Sequence, residues 1–363
     1  MHITFAALSH AGKVRSNNED NLYAGGVSLT PETREKSFLL CGEKDAPDVF
    51  AICDGMGGQE SGELASLLAV QTLDTFAPRM REATSEQLDA LAQQCVVEAN
   101  AAICTEMRNR NARMGTTFAM LTVRDQSVHA YSIGDSRVYV FANRRLRQLS
   151  EDHTLVATKM KMGLLTEGQA RKDHDWHRLT AHLGVFADEL SVSADVLLPV
   201  AVMGSMRFLL CSDGLTDMVW DDRIEAILRE SKTAEQAAVA LFDEAMQNGG
   251  RDNTSIIVID VQKTETPPAP TKPISSRPRA GTLAAIFMGA FALLFVLFAL
   301  LYFFAPWPAR EAPEATSAPV ETFFVEPTEP NFTDVPVMTD TESQNTPTIP
   351  IIPYIPATAI PAE

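Results

Sequence analysis

The chain has too few cysteines for a disulfide framework and none in zinc-finger spacing. Its 363 residues include five, Cys41, Cys53, Cys95, Cys104 and Cys211, an odd number without a C-x-x-C pair, which reads as reduced thiols in a cytoplasmic domain. Positive charge is also scarce. The formal net charge is −17, and residues 1–260 alone carry 25 Lys and Arg against 37 Asp and Glu, a net −12; general attraction to nucleic acid phosphates is excluded. Proline is nearly missing from the first two thirds: four of the 21 precede residue 260 and 17 follow it. The start, MHITFAALSHAGKVRSNNED, has no long apolar core behind a basic beginning, so no secretory signal is expected.

The proline boundary divides the chain. Residues 1–262 hold strand-like apolar runs at Val49–Cys53, Phe118–Val123, Val128–Ile133, Arg137–Phe141, Arg207–Cys211 and Thr254–Val261. Helical periodicity is expected from Gly62 to Phe76 and from Ser85 to Met107, the second with a stripe of Leu88, Leu91, Cys95, Ala99 and Ala102 and a capping box from Thr84 to Gln87. No regular βαβα alternation emerges, which favours antiparallel sheets over a doubly wound parallel one. Residues 263–280 form a proline-rich linker. From Gly281 to Ala305 runs a 25-residue segment without a charge, about 37 Å as a helix and long enough to span a bilayer. Lys272, Arg277 and Arg279 precede it and only Arg310 follows, so the positive-inside rule predicts a cytoplasmic 1–280 and an outside tail. Residues 306–363, rich in Pro, Thr and Glu, read as a disordered spacer. A small-residue stripe, Gly281, Ala285 and Gly289, would let two such helices pair as a homodimer.

Acids recur at the ends of the hydrophobic runs. VFAIC leads into Asp54-Gly55 and FLLCS into Asp213-Gly214; Asp135 lies in a tight turn between strands, Asp252 sits just before the last strand, and Glu19-Asp20 lie near the start beside Arg15. One Asp-Gly alone is an ordinary turn. Five such turns at strand ends, if they converge, would repel unless cations neutralise them. Oxygen-only donors select hard ions such as Mg²⁺ or Mn²⁺ over zinc. Cys53 and Cys211 adjoin these acids, but no C-x5-R phosphate loop follows either, and strand alternation turns each thiol away from its neighbouring acid.

The ordered set Arg15-x-x-x-Glu19-Asp20, Asp54-Gly55-Met56-Gly57-Gly58, Gly115-Thr116-Thr117, Gly134-Asp135-Ser136-Arg137, Asp152-His153-Thr154, Ser212-Asp213-Gly214-Leu215 and Gly250-Arg251-Asp252-Asn253 resembles the bacterial, membrane-anchored members of the metal-dependent type 2C (PPM) Ser/Thr protein phosphatases. The resemblance spans about residues 3–262. It implies an α+β fold, a four-layer αββα sandwich of a central antiparallel β-sandwich flanked by helices, here with one C-terminal transmembrane helix. It implies two Mn²⁺ or Mg²⁺ ions: Asp54 bridging, the Gly55 carbonyl on one, Asp213 and Asp252 completing the other, and Glu19 and Asp20 acting directly or through water. Asp135 with Asp213 matches a third, weaker site. Arg15 corresponds to the arginine that grips substrate phosphate, which a planar guanidinium meets with two parallel donors. Met56 stands where many eukaryotic relatives have a histidine, leaving the proton donor unassigned, with His153 a candidate. Residues 158–184 match a variable flap whose Lys159, Lys161, Arg171, Lys172, Arg178, His174, His177 and His182 would supply positive charge; His182 stands where bacterial relatives have arginine. The implied partners are phosphorylated proteins, Ser/Thr kinases and their substrates, at the inner face of the cell membrane. A catalytically silent phosphoprotein-binding receptor is the alternative, disfavoured by the intact Asp54, Asp213 and Asp252. A phosphatase of anti-sigma-factor antagonists is a third reading.

Overall fold

The computed structural model describes residues 1–34, 37–57 and 61–263. In chain order the elements are β1 (His2–His10), β2 (Asn21–Ala24), β3 (Val27–Ser28), α1 (Pro31–Arg34), β4 (Phe38–Asp45), β5 (Asp48–Cys53), β6 (Gly55–Gly57), α2 (Ser61–Glu82), α3 (Ser85–Arg110), β7 (Met114–Thr116), β8 (Phe118–Arg124) and β9 (Ser127–Ile133). They continue as β10 (Arg137–Ala142), β11 (Arg145–Gln148), α4 (Leu155–Lys161), α5 (Glu167–Ala170), β12 (Asp195–Val196), β13 (Val200–Ala201), β14 (Ser205–Cys211), α6 (Asp213–Thr216), α7 (Asp221–Glu230), α8 (Ala234–Gln247) and β15 (Thr254–Gln262).

One sheet has six strands in the order β11-β10-β14-β15-β1-β4; the other has seven, β12-β9-β8-β5-β2-β3 with β13 also on β9. Three apolar clusters mark the layers. Phe5, Phe50, Ile52, Leu121, Phe208, Leu210 and Ile257 fill the space between the sheets. Val49, Ala51 and Cys53 from the opposite face of β5 pack under Ala69, Leu73 and Phe76 of α2 and Cys95 and Ala99 of α3. Leu209, Cys211, Ile256 and Val258 pack under Ile224, Leu241 and Ala245 of α7 and α8. All six residues of β5 are buried, because the sheet is covered on both faces, and its sequence therefore lacks alternation. This is the four-layer arrangement expected, with antiparallel pairing in both sheets.

Two helical expectations shift. The first helix does not stop before Pro78 but continues to Glu82. Interior proline costs roughly 3 kcal/mol, and burial of Ala77 and Met80 against the sheet offsets it. The α3 capping box is present, with the Thr84 backbone N–H donating to Gln87 Oε1 at 2.9 Å. Its buried face is Leu88, Ala92, Cys95, Val96, Ala99 and Ile103, so Leu91 and Ala102 lie at the margin. Residues 264–280 of the linker, the 281–305 run with its small-residue stripe, and the 306–363 tail lie outside the described residues. Among the described residues no helix is long and apolar enough to cross a membrane.

Candidate metal centre

The acid-bearing turns gather at one end of the sandwich, and strand register dictates it. At the end of β1, His10 pairs with Thr254, the first residue of β15. Cys211, last in β14, pairs with Arg137, first in β10; Cys53, last in β5, pairs with Asn21, first in β2. The loops carrying Arg15–Asp20, Asp54, Asp135, Asp213 and Asp252 thus open at the same edge.

The Asp54 backbone and the Asp20 carboxylate are fixed by residues of neighbouring strand ends. The Asp54 N–H donates to Thr117 Oγ at 2.9 Å, and the Asp54 carbonyl accepts from the Thr117 N–H at 2.9 Å and the Thr116 hydroxyl at 2.8 Å. A Cβ on Gly55 would stand 2.1 Å from the Gly62 carbonyl oxygen, and one on Gly214 would stand 1.9 Å from the Asn253 carbonyl oxygen, so each Asp-Gly step requires glycine for close backbone approach. Asp20 is completely buried. Ser212 donates to its Oδ2 at 2.8 Å, and Ser212 in turn accepts from the Ser255 N–H at 3.0 Å. Asn253 ties the entry loop down, accepting from the Glu19 N–H at 2.7 Å and donating to the Ala11 and Asn17 carbonyls.

The field among these groups is strongly unfavourable without a cation. Burial, then Asp213 and Asp252, raise Asp20 to about 7. Burial and the charges of Asp20, Asp213, Asp135 and Asp252 push Asp54 well above the usual carboxylate range. Asp135 is raised by burial, Asp213 and Asp152, and Glu19 chiefly by burial. The second Asp20 oxygen, Oδ1, is buried with no hydrogen-bond partner among the described residues. Enclosed, mutually repelling carboxylates with an orphaned oxygen fit a site for hard divalent cations.

All the expected site residues reach this edge, with two qualifications. The Arg15 guanidinium donates to Asp252 Oδ2 at 2.7 Å, so the expected phosphate grip here rests on an expected metal ligand. The flap supplies far less free positive charge than its composition suggests. Lys159 is taken by Asp173 and Asp175, Lys161 by Glu151, Arg178 by Asp175 and His174 by both Asp173 and Asp175. Arg171 lies 3.9 Å over the Trp220 ring and donates to the Thr216 carbonyl. His177 alone of these reaches the acids, 3.3 Å from Asp213 and 3.5 Å from Asp217, and hydrogen bonding to Asp213 raises it to about 9. His153 is engaged at both nitrogens, by the Gly134 N–H at 3.2 Å and Asp195 at 3.1 Å, which secures the turn before β10. Cys53 and Cys211 are buried in separate apolar clusters.

Asp217, absent from the expected set, joins Asp135, Asp213 and His177 around a cavity of about 20 Å³, room for one water-sized species. His177, Asp213 and Asp217 also have the spacing of a cation-binding group. The sequence signal for Asp217 was its place four residues after Asp213, one turn along α6, which the Asp-Gly motif overshadowed. Thr117, Ser212 and Asn253 act beneath the acids and looked like ordinary motif neighbours.

An antiparallel two-sheet sandwich with helices outside and a desolvated carboxylate cluster at one end defines a class, the cation-dependent phosphatases. Residues 37–253 match the family model described as Protein phosphatase 2C. The serine/threonine phosphatase stp of Listeria monocytogenes is 32% identical over 268 residues, spanning 73% of this chain and 98% of that protein. The serine/threonine protein phosphatase PstP of Mycobacterium tuberculosis is 32% identical over 265 residues, 71% of this chain and 45% of PstP. A crystal structure of the PstP catalytic domain in complex with two manganese ions superposes with a TM-score of 0.59 at 29% identity, covering 72% of this chain and 100% of that one. The chain belongs to the protein phosphatase 2C family.

Proposed function

We propose that this chain is a protein-serine/threonine phosphatase that hydrolyses phosphoserine and phosphothreonine, with two Mn²⁺ or Mg²⁺ ions held by Asp54, the Gly55 carbonyl, Asp213 and Asp252, and by Glu19 and Asp20 directly or through water. The observation that carries this reading is Asp20, a buried acid with an orphaned oxygen among other acids. The two ions, when bound, lower the pKa of water toward neutrality and neutralise phosphoryl oxygens. The chain's own residues then do the positioning. Thr116 and Thr117 hold the Asp54 backbone, and Ser212 holds Asp20. Arg15, half exposed on Asp252, can exchange that carboxylate for two phosphate oxygens. Asp135, Asp213 and Asp217 suit a third, weaker ion, for which the charged His177 beside Asp213 and Asp217 is a competitor. Turnover of p-nitrophenyl phosphate and of a phosphothreonine peptide, abolished by EDTA and restored by Mn²⁺, tests the reading; turnover persisting after complete metal removal overturns it.

We further read the charge-free run 281–305 as a membrane anchor, with residues 1–262 at the cytoplasmic face and the tail beyond it, because Lys272, Arg277 and Arg279 flank one side and Arg310 alone the other. Membrane Ser/Thr kinases and their targets are then the substrates within reach, and the enzyme reverses their signalling. Protease treatment of inverted and right-side-out vesicles tests the topology: digestion of the phosphatase domain only in right-side-out vesicles overturns it.

A further inference from the structure

The antiparallel β6–β7 pair, whose strands are joined through α2 and α3, leads away from Asp54. Gly55 pairs with Thr116, Met56 with Gly115 and Gly57 with Met114, so Arg113 lies just beyond the end of this pair that is farther from Asp54. Gly57 lies three steps along the chain from Asp54, about 10 Å when extended. The Arg113 and Arg108 guanidiniums lie 5.1 and 4.7 Å from the Phe186 ring centroid. Arg113 is two-thirds exposed, yet both its terminal nitrogens donate to Glu189, at 2.9 and 2.5 Å; Asp188 is the other acid acting on it. The rest of the domain is acidic, so a pair of guanidiniums fixed on an aromatic ring stands out chemically.

We propose that Arg113, backed by Arg108, reads an acidic group, a carboxylate or a second phosphate, three to four residues from the phosphorylated residue of a protein substrate, and that Glu189 is its built-in competitor. Three to four extended residues span about 10–14 Å, which matches the offset from Asp54 along β6. Stacking on Phe186 orients the guanidinium beforehand, which reduces the ordering cost of binding. The Arg113–Glu189 pair is bidentate but lies in solvent, so a substrate acid that presents two oxygens can exchange with Glu189 for the same fork. The inference rests on the phosphatase reading above and refines its substrate class.

The test uses the full chain with Mn²⁺ and a panel of phosphothreonine peptides with alanine, glutamate or phosphoserine at each position up to four residues away, beside p-nitrophenyl phosphate. The wild type should show higher kcat/KM for peptides with an acid at the third or fourth position, on one side, than for the alanine peptide. Arg113→Ala should reduce that acidic-to-neutral ratio about tenfold. Glu189→Gln, which removes the competitor, should lower KM for the acidic peptides and leave their kcat in place; it carries the test should Arg113→Ala fail to fold. Preference confined to glutamate or to phosphoserine identifies which acid is read. Equal kcat/KM for acidic and alanine peptides in the wild type, or a preference that survives Arg113→Ala, overturns the proposal. Failure of p-nitrophenyl phosphate and every peptide to turn over is a different result and overturns the phosphatase reading itself.

Discussion

The floor of the site and the flap beside it solve opposite problems with the same residue types. In the floor, Asp20 and Asp54 are acids without a basic partner, held by serine and threonine hydroxyls and backbone N–H groups at strand ends. In the flap, acids and bases are matched pair by pair: Lys159 with Asp173 and Asp175, Arg178 with Asp175, Trp176 donating to Asp217 at 2.8 Å. The floor keeps its charge uncompensated and available for a cation, whereas the flap spends its charge on its own conformation. A loop of two four-to-seven-residue helices, α4 and α5, has little apolar burial to hold it, so ion pairs and the stacking of Arg171 on Trp220 do that work. The lesson is that charge counted along a segment says little about charge offered to a ligand.

The largest expected effect lies in the floor. Asp54→Asn and Asp213→Asn keep the shape but remove ligand charge, so each should lower kcat by more than about a thousandfold while circular dichroism stays native. An Asp54→Asn enzyme with near-normal turnover would break the contrast. Arg15→Ala comes next. It should raise KM for phosphopeptides about tenfold with Mn²⁺ affinity retained, read by steady-state kinetics and metal titration; unchanged kinetics would remove Arg15 from the site.

The uncompensated floor also has a signature without turnover. Burial and neighbouring acids lift Asp20 to about 7 in the fold, while in the unfolded chain it returns to roughly 4. The folded state therefore binds this proton more tightly, so Asp20 lowers metal-free stability as pH rises from ~4 to ~7, and Asp54 and Asp135, raised in the same direction, add to the decline. Thermal midpoints of the EDTA-treated protein should decline over this window, and Mn²⁺ should flatten the slope; a flat metal-free profile would show the floor is neutralised by something else. Ser212→Ala should cost about 1–3 kcal/mol by urea unfolding, since it strips the buried Asp20 of its donor. The smallest effect belongs to the flap. His177→Ala should change kcat/KM by no more than about fivefold, as its ring is 59% exposed; a loss as large as that of Asp54→Asn would move His177 into the floor.

Much of this was legible beforehand, for a reason visible in particular residues. The strands ending at Cys53 and Cys211 were readable as apolar runs, and the glycine after each acid marked a sharp backbone turn. Strands β1 and β4 carry no such signal. β4 alternates half-buried and exposed residues at a sheet edge, and β1 mixes alanine and serine into its buried face, so neither makes a strong apolar run. The pairing of Arg15 with Asp252, 237 positions away, and the contacts of His153 with Gly134 and Asp195, have no local signal.

What the sequence determined by itself was the set of acids, their order and the apolar strands that deliver them, because burial and turn formation are local demands written in residue type. The tertiary structure decided which charges remain free. Antiparallel register brought Cys53, Cys211, His10 and Thr254 to one edge, and burial there made the acids of the floor depend on a cation. The same folding closed the flap's lysines and arginines onto their own acids and rings. Whether a charge is neutralised depends on distance in space and on access to water, and neither is a property of position along the chain.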